Sequence, residues 1–96
     1  MKEKIAVIGA GMMGGAIVKS LLKGGYAGKI IATDVQIERL REQEKLGVAT
    51  STDNRKAVVD SEIVFVAVKP GDVEKVLKGI SKEVKDKLVI SVAATV

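Results

Sequence analysis

A glycine-rich segment directly after a short apolar run constrains the fold of this chain most. It follows the run Ile5–Ile8 and reads Gly9-Ala10-Gly11-Met12-Met13-Gly14. The first glycine of such a G-x-G-x-x-G pattern permits a tight turn, the second lets a phosphate approach the backbone, and the third allows close helix–strand packing. The pattern predicts a strand, a turn and a helix whose N-terminal N–H groups bind a pyrophosphate. A glycine turn without any ligand is the alternative interpretation.

An acidic residue at a suitable distance supports the ligand-binding interpretation. Asp34 lies about 20 residues after Gly14 and directly follows a second apolar run, Ile30–Thr33. A carboxylate at this place accepts hydrogen bonds from both adenosine ribose hydroxyls and repels the 2′-phosphate of NADP. We therefore expect a dinucleotide site in which NAD(H) is preferred, with use of NADP(H) left open. Asp34 is alternatively the N-cap of the charged helix that follows it.

Five apolar runs of strand length recur along the chain, with helix-like segments between them. The runs are Ile5–Ile8, Ile30–Thr33, Val48–Ala49, Ile63–Val68 and Leu88–Val92. The expected helices are Met12–Lys23, Gln36–Leu46, Asp53–Val59 and Asp72–Ile80. Because the runs are continuous rather than alternating, they are typical of strands buried on both faces of a parallel sheet. We predict the α/β class, with a Rossmann-type doubly wound parallel sheet in three αβα layers that is truncated after the fifth strand.

Composition excludes several kinds of chemistry. The chain of 96 residues contains 0 Cys and 0 His, which excludes disulfides, thiolate nucleophiles and imidazole bases, and we expect no metal site. Its net charge is +4, but the lysines are scattered and aromatic residues make up only 2%, so we expect no nucleic-acid partner. No apolar run approaches the roughly 18 residues of a membrane span. We expect one cytoplasmic dinucleotide-binding domain over residues 1–96, with no membrane partner.

Two further segments lie at the ends of the fourth and fifth apolar runs. They read Ala67-Val68-Lys69-Pro70 and Ser91-Val92-Ala93-Ala94-Thr95. The carboxyl ends of strands face the ligand crevice in open α/β sheets. Small residues there would let the nicotinamide ribose approach the backbone, and Pro70 would fix the turn at the edge of the crevice. Lys69 is either a cofactor contact or a solvated charge.

With these segments the sequence resembles the N-terminal part of the pyrroline-5-carboxylate reductase family. The resemblance is carried by Ile8 to Ile17, Asp53-Asn54 ahead of Ala57-Val58, Phe65 to Pro70, and Ser91 to Ala94. It implies that Ile8, Gly9, Ala10, Gly11, Met12 and Met13 wrap the pyrophosphate, with Gly14 in the same cofactor-binding segment. It further implies that Asp34 touches the adenosine ribose and that Asn54 reaches the adenine. The nicotinamide side would be lined by Ala67, Val68, Lys69, Pro70, Ala93, Ala94 and Thr95.

The resemblance also implies a reaction and a missing domain. In this family a reduced nicotinamide cofactor gives hydride to the C=N carbon of a five-membered cyclic imine acid, which yields proline. Family members bind this substrate and form homo-oligomers through a helical C-terminal domain that this sequence lacks. We therefore expect no catalytic residue in this chain and no activity from it alone. Thr95 departs from the glycine usual in the family, and Asp34 from the small or basic polar residues of members that accept NADPH.

Two other functions stay open. A 3-hydroxyacid or prephenate-type dehydrogenase would share the glycine segment, but we expect it to lack the combination of Asn54, Ala67–Pro70 and Ser91–Ala94. A regulatory module that senses NAD without hydride transfer would need Asp34 but no crevice for the nicotinamide.

Overall fold

Strands and helices alternate along the chain, as the apolar runs predicted. The computed structural model describes residues 3–92, so the predicted site residues Ala93, Ala94 and Thr95 lie outside the described residues. The strands are β1 (Ile5–Ile8), β2 (Ile30–Thr33), β3 (Ala49–Ser51), β4 (Ile63–Val66) and β5 (Leu88–Ser91). The helices are α1 (Met12–Lys23), α2 (Ile37–Lys45), α3 (Asn54–Val59) and α4 (Pro70–Gly79). None of the helices between residues 3 and 92 is long and apolar enough to cross a membrane.

The described strands form one parallel sheet in the order β3-β2-β1-β4-β5. The chain adds strands on one side of β1 and then returns to add β4 and β5 on the other side. The ends of β1 and β4 therefore flank the point at which the winding direction reverses, where open α/β sheets bind their ligands. The predicted Rossmann-type parallel sheet is confirmed.

The central strand β1 is buried on both faces. Ile5 and Val7 belong to one apolar cluster, Ala6 and Ile8 belong to the other, and none of the four is more than 3% exposed. Residues from α1 and α2 complete the first cluster, and residues from α3 and α4 complete the second. The sheet is thus covered by helices on both faces, which gives the predicted three layers and explains why β1 reads as a continuous apolar run.

Three strands differ in their bounds from the prediction. The third strand was expected at Val48–Ala49, but β3 extends to Ser51 because backbone pairing with β2, rather than hydropathy, defines this edge strand. The fourth and fifth strands were expected to reach Val68 and Val92, but they end at Val66 and Ser91. Hydrogen bonds continue one residue further at each place, from the N–H groups of Ala67 and Val92.

The predicted start of the last helix was wrong. We expected Pro70-Gly71 to break the chain and a helix to begin at Asp72, but α4 begins at Pro70 with Lys69 as its N-cap. Proline suits the first helical position because its missing N–H would have no partner there, and its φ angle already matches a helix. The crevice edge is therefore a helix N-terminus rather than a separate turn.

Helix α2 also differs from its predicted pattern. It covers Ile37–Lys45 rather than Gln36–Leu46. Of its predicted apolar stripe only Leu40 is buried, whereas Ile37 is 48% exposed and Leu46 just beyond the helix is 37% exposed. The second buried residue is Gln43, whose Nε2 lies 3.3 Å from the place a Cβ on Gly15 would take. Helix α2 thus packs close to α1 through a polar side chain against a glycine.

Candidate functional site

The turn between β1 and α1 can be built only with glycine at two positions. Gly9 has a φ angle of +97°, and a Cβ on it would lie 2.6 Å from the carbonyl oxygen of Ala67. A Cβ on Gly14 would lie 1.6 Å from the carbonyl oxygen of Gly9. Both distances are far below van der Waals contact. The conformational roles predicted for the first and third glycines of the segment are therefore confirmed.

The N-terminus of α1 is open to an anion. Gly11 is the N-cap and provides no side-chain hydrogen bond, and the first turn contains no acidic residue. Met12, the first residue of the helix, is 95% exposed. Uncapped N–H groups and the positive end of the helix dipole favour a phosphate at such a terminus. The residues present fit the pyrophosphate that the sequence predicts, although the contact itself stays a prediction.

Asp34 joins the end of β2 to the glycine turn. Its side chain is only 6% exposed, and its Oδ2 accepts a hydrogen bond from the backbone N–H of Ala10 at 2.9 Å. Oδ1 accepts from the N–H of Gln36 at 2.8 Å. Because Gln36 itself is the N-cap of α2, the alternative role of Asp34 as that N-cap is wrong. The carboxylate instead bridges the two loops at the ends of β1 and β2.

Two residues beside Asp34 were not predicted from the sequence. The Nη1 atom of Arg39 lies 3.4 Å from Oδ2 of Asp34, and it lies 3.3 Å from the place a Cβ on Gly11 would occupy. Val35 follows Asp34 and is 86% exposed. Helical side chains point back toward the N-terminus of their helix, so an arginine in the first turn of α2 was the available signal. No comparable signal marked Val35.

Asn54 is held next to the end of β2. Its Oδ1 accepts a hydrogen bond of 2.6 Å from the hydroxyl of Thr33, which is fully buried and directly precedes Asp34. Asp53, the N-cap of α3, accepts a hydrogen bond from the backbone N–H of Lys56 and so fixes the start of the helix that carries Asn54. The structure thus brings Asn54 and Asp34 to one edge of the sheet, as the sequence implied. The contact of Asn54 with adenine stays a prediction.

The segment after β4 closes the other side of the glycine turn. The N–H of Ala67 donates to the carbonyl oxygen of Ile8 at 2.8 Å, and Ala67 is 7% exposed. Val68 is half-buried, and its Cγ1 lies 3.1 Å from the place a Cβ on Gly9 would occupy. Lys69 and Pro70 are exposed at the start of α4. The predicted pyrophosphate and nicotinamide segments are therefore neighbours across the switch point of the sheet.

The charged side chains beside the glycine turn are suited to binding by charge and hydrogen bonding. Among residues 3–92, no three carboxylates cluster closely enough to hold a metal ion. The charged groups beside the glycine turn are Asp34, Arg39 and Lys69, and the first two form an ion pair. The arrangement can hold phosphates and ribose hydroxyls and can fix the position of whatever is attached to them.

Comparisons with known proteins agree with this geometry. The family model described as NADP oxidoreductase coenzyme F420-dependent matches residues 4–95. The pyrroline-5-carboxylate reductase of Methanosarcina acetivorans is 43% identical over 98% of this chain and 36% of its own length. The chain spans about a third of the length of the relatives it matches.

Solved structures give the same result. A pyrroline-5-carboxylate reductase from Coxiella burnetii superposes with a TM-score of 0.84 at 37% identity, covering 98% of this chain and 36% of that one. A variant imine reductase from Myxococcus stipitatus in complex with NAD⁺ superposes with a TM-score of 0.86 at 32% identity, covering 99% of this chain and 33% of that one. The resemblance to the N-terminal part of pyrroline-5-carboxylate reductases is thereby confirmed. The chain belongs to the family of NADP oxidoreductases described as coenzyme F420-dependent.

Proposed function

We propose that this chain is the cofactor-binding domain of a pyrroline-5-carboxylate reductase. The observation that carries the proposal is the arrangement of three segments at one sheet edge. The glycine turn that leads to the uncapped start of α1 contacts the Asp34 carboxylate through Ala10 and lies against the backbone of Ala67 at Gly9. A dinucleotide has its pyrophosphate in the middle and a nucleoside at each end, so this order suits the molecule. The similarity to reductases of this name over nearly the whole chain supports the proposal.

The chain's contribution to the reaction is orientation. When bound, the reduced cofactor supplies the hydride that converts the cyclic imine acid to proline. The N–H groups at the start of α1 would hold the pyrophosphate, with Ile8, Ala10, Met12 and Met13 around it. Asp34 and Asn54 would fix the adenosine. Ala67 to Pro70, together with Ala93, Ala94 and Thr95, would place the nicotinamide against the imine carbon.

The remaining parts of the reaction belong to a longer protein in this proposal. Since the chain spans about a third of its relatives' length, we assign the substrate site and a homo-oligomer interface to a C-terminal domain outside residues 1–96. This chain alone would bind the cofactor and be inactive. The cytoplasmic location expected from the sequence also stays a prediction.

We further infer that NADH is preferred and that NADPH is also accepted. Asp34 supports the preference because a carboxylate accepts hydrogen bonds from the ribose hydroxyls and repels a 2′-phosphate. The carboxylate stands at the end of β2, where the ribose of a cofactor bound to the glycine turn would lie.

The test combines binding with turnover. Calorimetry measures the affinity of this chain for NADH and NADPH, and the full-length product of its gene is assayed with pyrroline-5-carboxylate under each cofactor. We expect binding by the chain and proline formation by the full-length protein. Turnover of prephenate or a 3-hydroxyacid instead would favour a different dehydrogenase. Cofactor binding without any hydride transfer would favour a sensing module and overturn the proposal.

A further inference from the structure

The guanidinium of Arg39 covers the carboxylate of Asp34. Its Nη1 lies 3.4 Å from Oδ2 of Asp34 and packs on Gly11 of the glycine turn. The Arg39 side chain is 45% exposed, whereas that of Asp34 is 6% exposed. A ligand that approaches the end of β2 from solvent therefore meets a positive group before it meets the negative one.

Asp34 does not depend on Arg39 to stay in place. Its two oxygens already accept hydrogen bonds from the backbone N–H groups of Ala10 and Gln36. The contact with Arg39 is a single N···O distance at the long end of hydrogen bonding, and it uses one of the five N–H donors of the guanidinium. Partly exposed ion pairs of this kind contribute little to stability. The guanidinium can therefore leave Asp34 for a stronger acceptor at small cost.

A phosphate is such an acceptor. Its oxygens match the planar fork of a guanidinium and form paired, charge-assisted hydrogen bonds. We propose that Arg39 exchanges its contact with Asp34 for the 2′-phosphate of NADPH, so that one site binds both cofactors. The inference rests on the proposed dinucleotide function and adds a residue that sets the ratio of the two affinities. Asp34 favours NADH, and Arg39 limits that preference.

The central test is Arg39→Met in the full-length gene product, because methionine keeps an apolar stem and removes the charge. Binding is measured by calorimetry for NADH, NADPH, 5′-AMP and adenosine 2′,5′-bisphosphate. We expect the affinities for NADPH and the bisphosphate to fall on the order of 10-fold to 100-fold. The affinities for NADH and 5′-AMP should change by less than about 3-fold. Added salt should weaken the binding of NADPH more in the wild type than in the variant.

The matched control is Arg41→Met. Arg41 is exposed on α2, and residues two positions apart on a helix do not face each other. This variant makes the same change in net charge away from the site, so both cofactors should bind as in the wild type. Arg39→Lys is a second variant, and it should recover part of the NADPH affinity because lysine keeps the charge but loses the paired geometry.

The outcomes separate the two proposals. The role of Arg39 would be overturned if Arg39→Met weakened the binding of NADH and NADPH equally, or if Arg41→Met had the same effect as Arg39→Met. The dinucleotide function would still stand in either case. Binding of neither cofactor by the wild type would overturn the function itself. Circular dichroism of each variant checks folding. If the methionine variant does not fold, the ratio of the affinities for NADPH and NADH in the lysine variant decides.

Discussion

At the scale of the residue, Asp34 combines a structural task with a proposed binding task. Its carboxylate holds the N–H of Ala10 in the glycine turn and is covered by Arg39. An unpaired buried carboxylate would be costly, so these partners explain why an acid is tolerated with 6% exposure. The same partners place a negative charge where the ribose of a dinucleotide is proposed to lie.

Replacement of Asp34 by serine is expected to narrow or reverse the preference for NADH. The lost ribose hydrogen bonds and the lost repulsion of the 2′-phosphate each change the binding free energy by on the order of 1–3 kcal/mol. Calorimetric titration of both cofactors measures the change. Glu42→Ser is a control, since Glu42 is 69% exposed on α2. If the wild-type chain already binds NADPH more tightly than NADH, the role assigned to Asp34 is wrong.

Sequence spacing was enough to predict the positions of some residues of the candidate site and not of others. The glycines and Asp34 were predictable because each satisfies a requirement of backbone shape or charge at a fixed separation. Arg39 was not singled out, because its place in the first turn of α2 is a weak signal in a helix with many charged residues. Gln43 was missed for a related reason, since its burial depends on the glycine that α1 places opposite it.

At the scale of the element, the junction of β1 and α1 determines the shape of the site. The helix starts close to the strand only because Gly14 has no side chain toward Gly9. Boundaries were predicted well where burial changes sharply, as for β1 and α1, and less well where backbone pairing or capping decides. β3 and the start of α4 at Pro70 belong to the second group.

Gly14→Ala should therefore push the helix away from the strand. A Cβ 1.6 Å from the carbonyl oxygen of Gly9 cannot be accommodated without backbone movement. We expect the free energy of unfolding to fall by about 3 kcal/mol, with loss of cofactor binding, as measured by urea denaturation and calorimetry. Gly79→Ala is the control, because nothing lies within 4 Å of its Cβ position. A Gly14 variant as stable as the Gly79 variant would contradict the close packing described.

At the scale of the whole molecule, the order of strands gathers the ends of β1, β2 and β4 on one edge. The α/β class with a parallel sheet was predictable from the spacing of the apolar runs, since parallel strands require crossover helices between them. The position of each strand in the sheet was not predictable from apolarity alone. In the structure β1 pairs with both β2 and β4, and helices cover both faces of the sheet.

Cofactor binding should stabilise the entire chain because the site spans both halves of the sheet. At a free NADH concentration about 100 times its Kd, the free energy of unfolding should rise by about 2.7 kcal/mol. For a domain of 96 residues this corresponds to an increase in Tm of roughly 10–20 °C. Differential scanning fluorimetry measures the shift, with nicotinamide alone as the control. An unchanged Tm at saturating NADH and NADPH would contradict the proposed site.

The burial of β1 on both faces has a kinetic consequence. Its amide hydrogens lie between two paired strands and two helical layers, so they should exchange with deuterated solvent only through global unfolding. Amides of the edge strand β3 should exchange earlier by local opening. The glycine turn directly follows the strand that we expect to exchange most slowly, so we expect the turn to keep the same form whether or not a cofactor is bound.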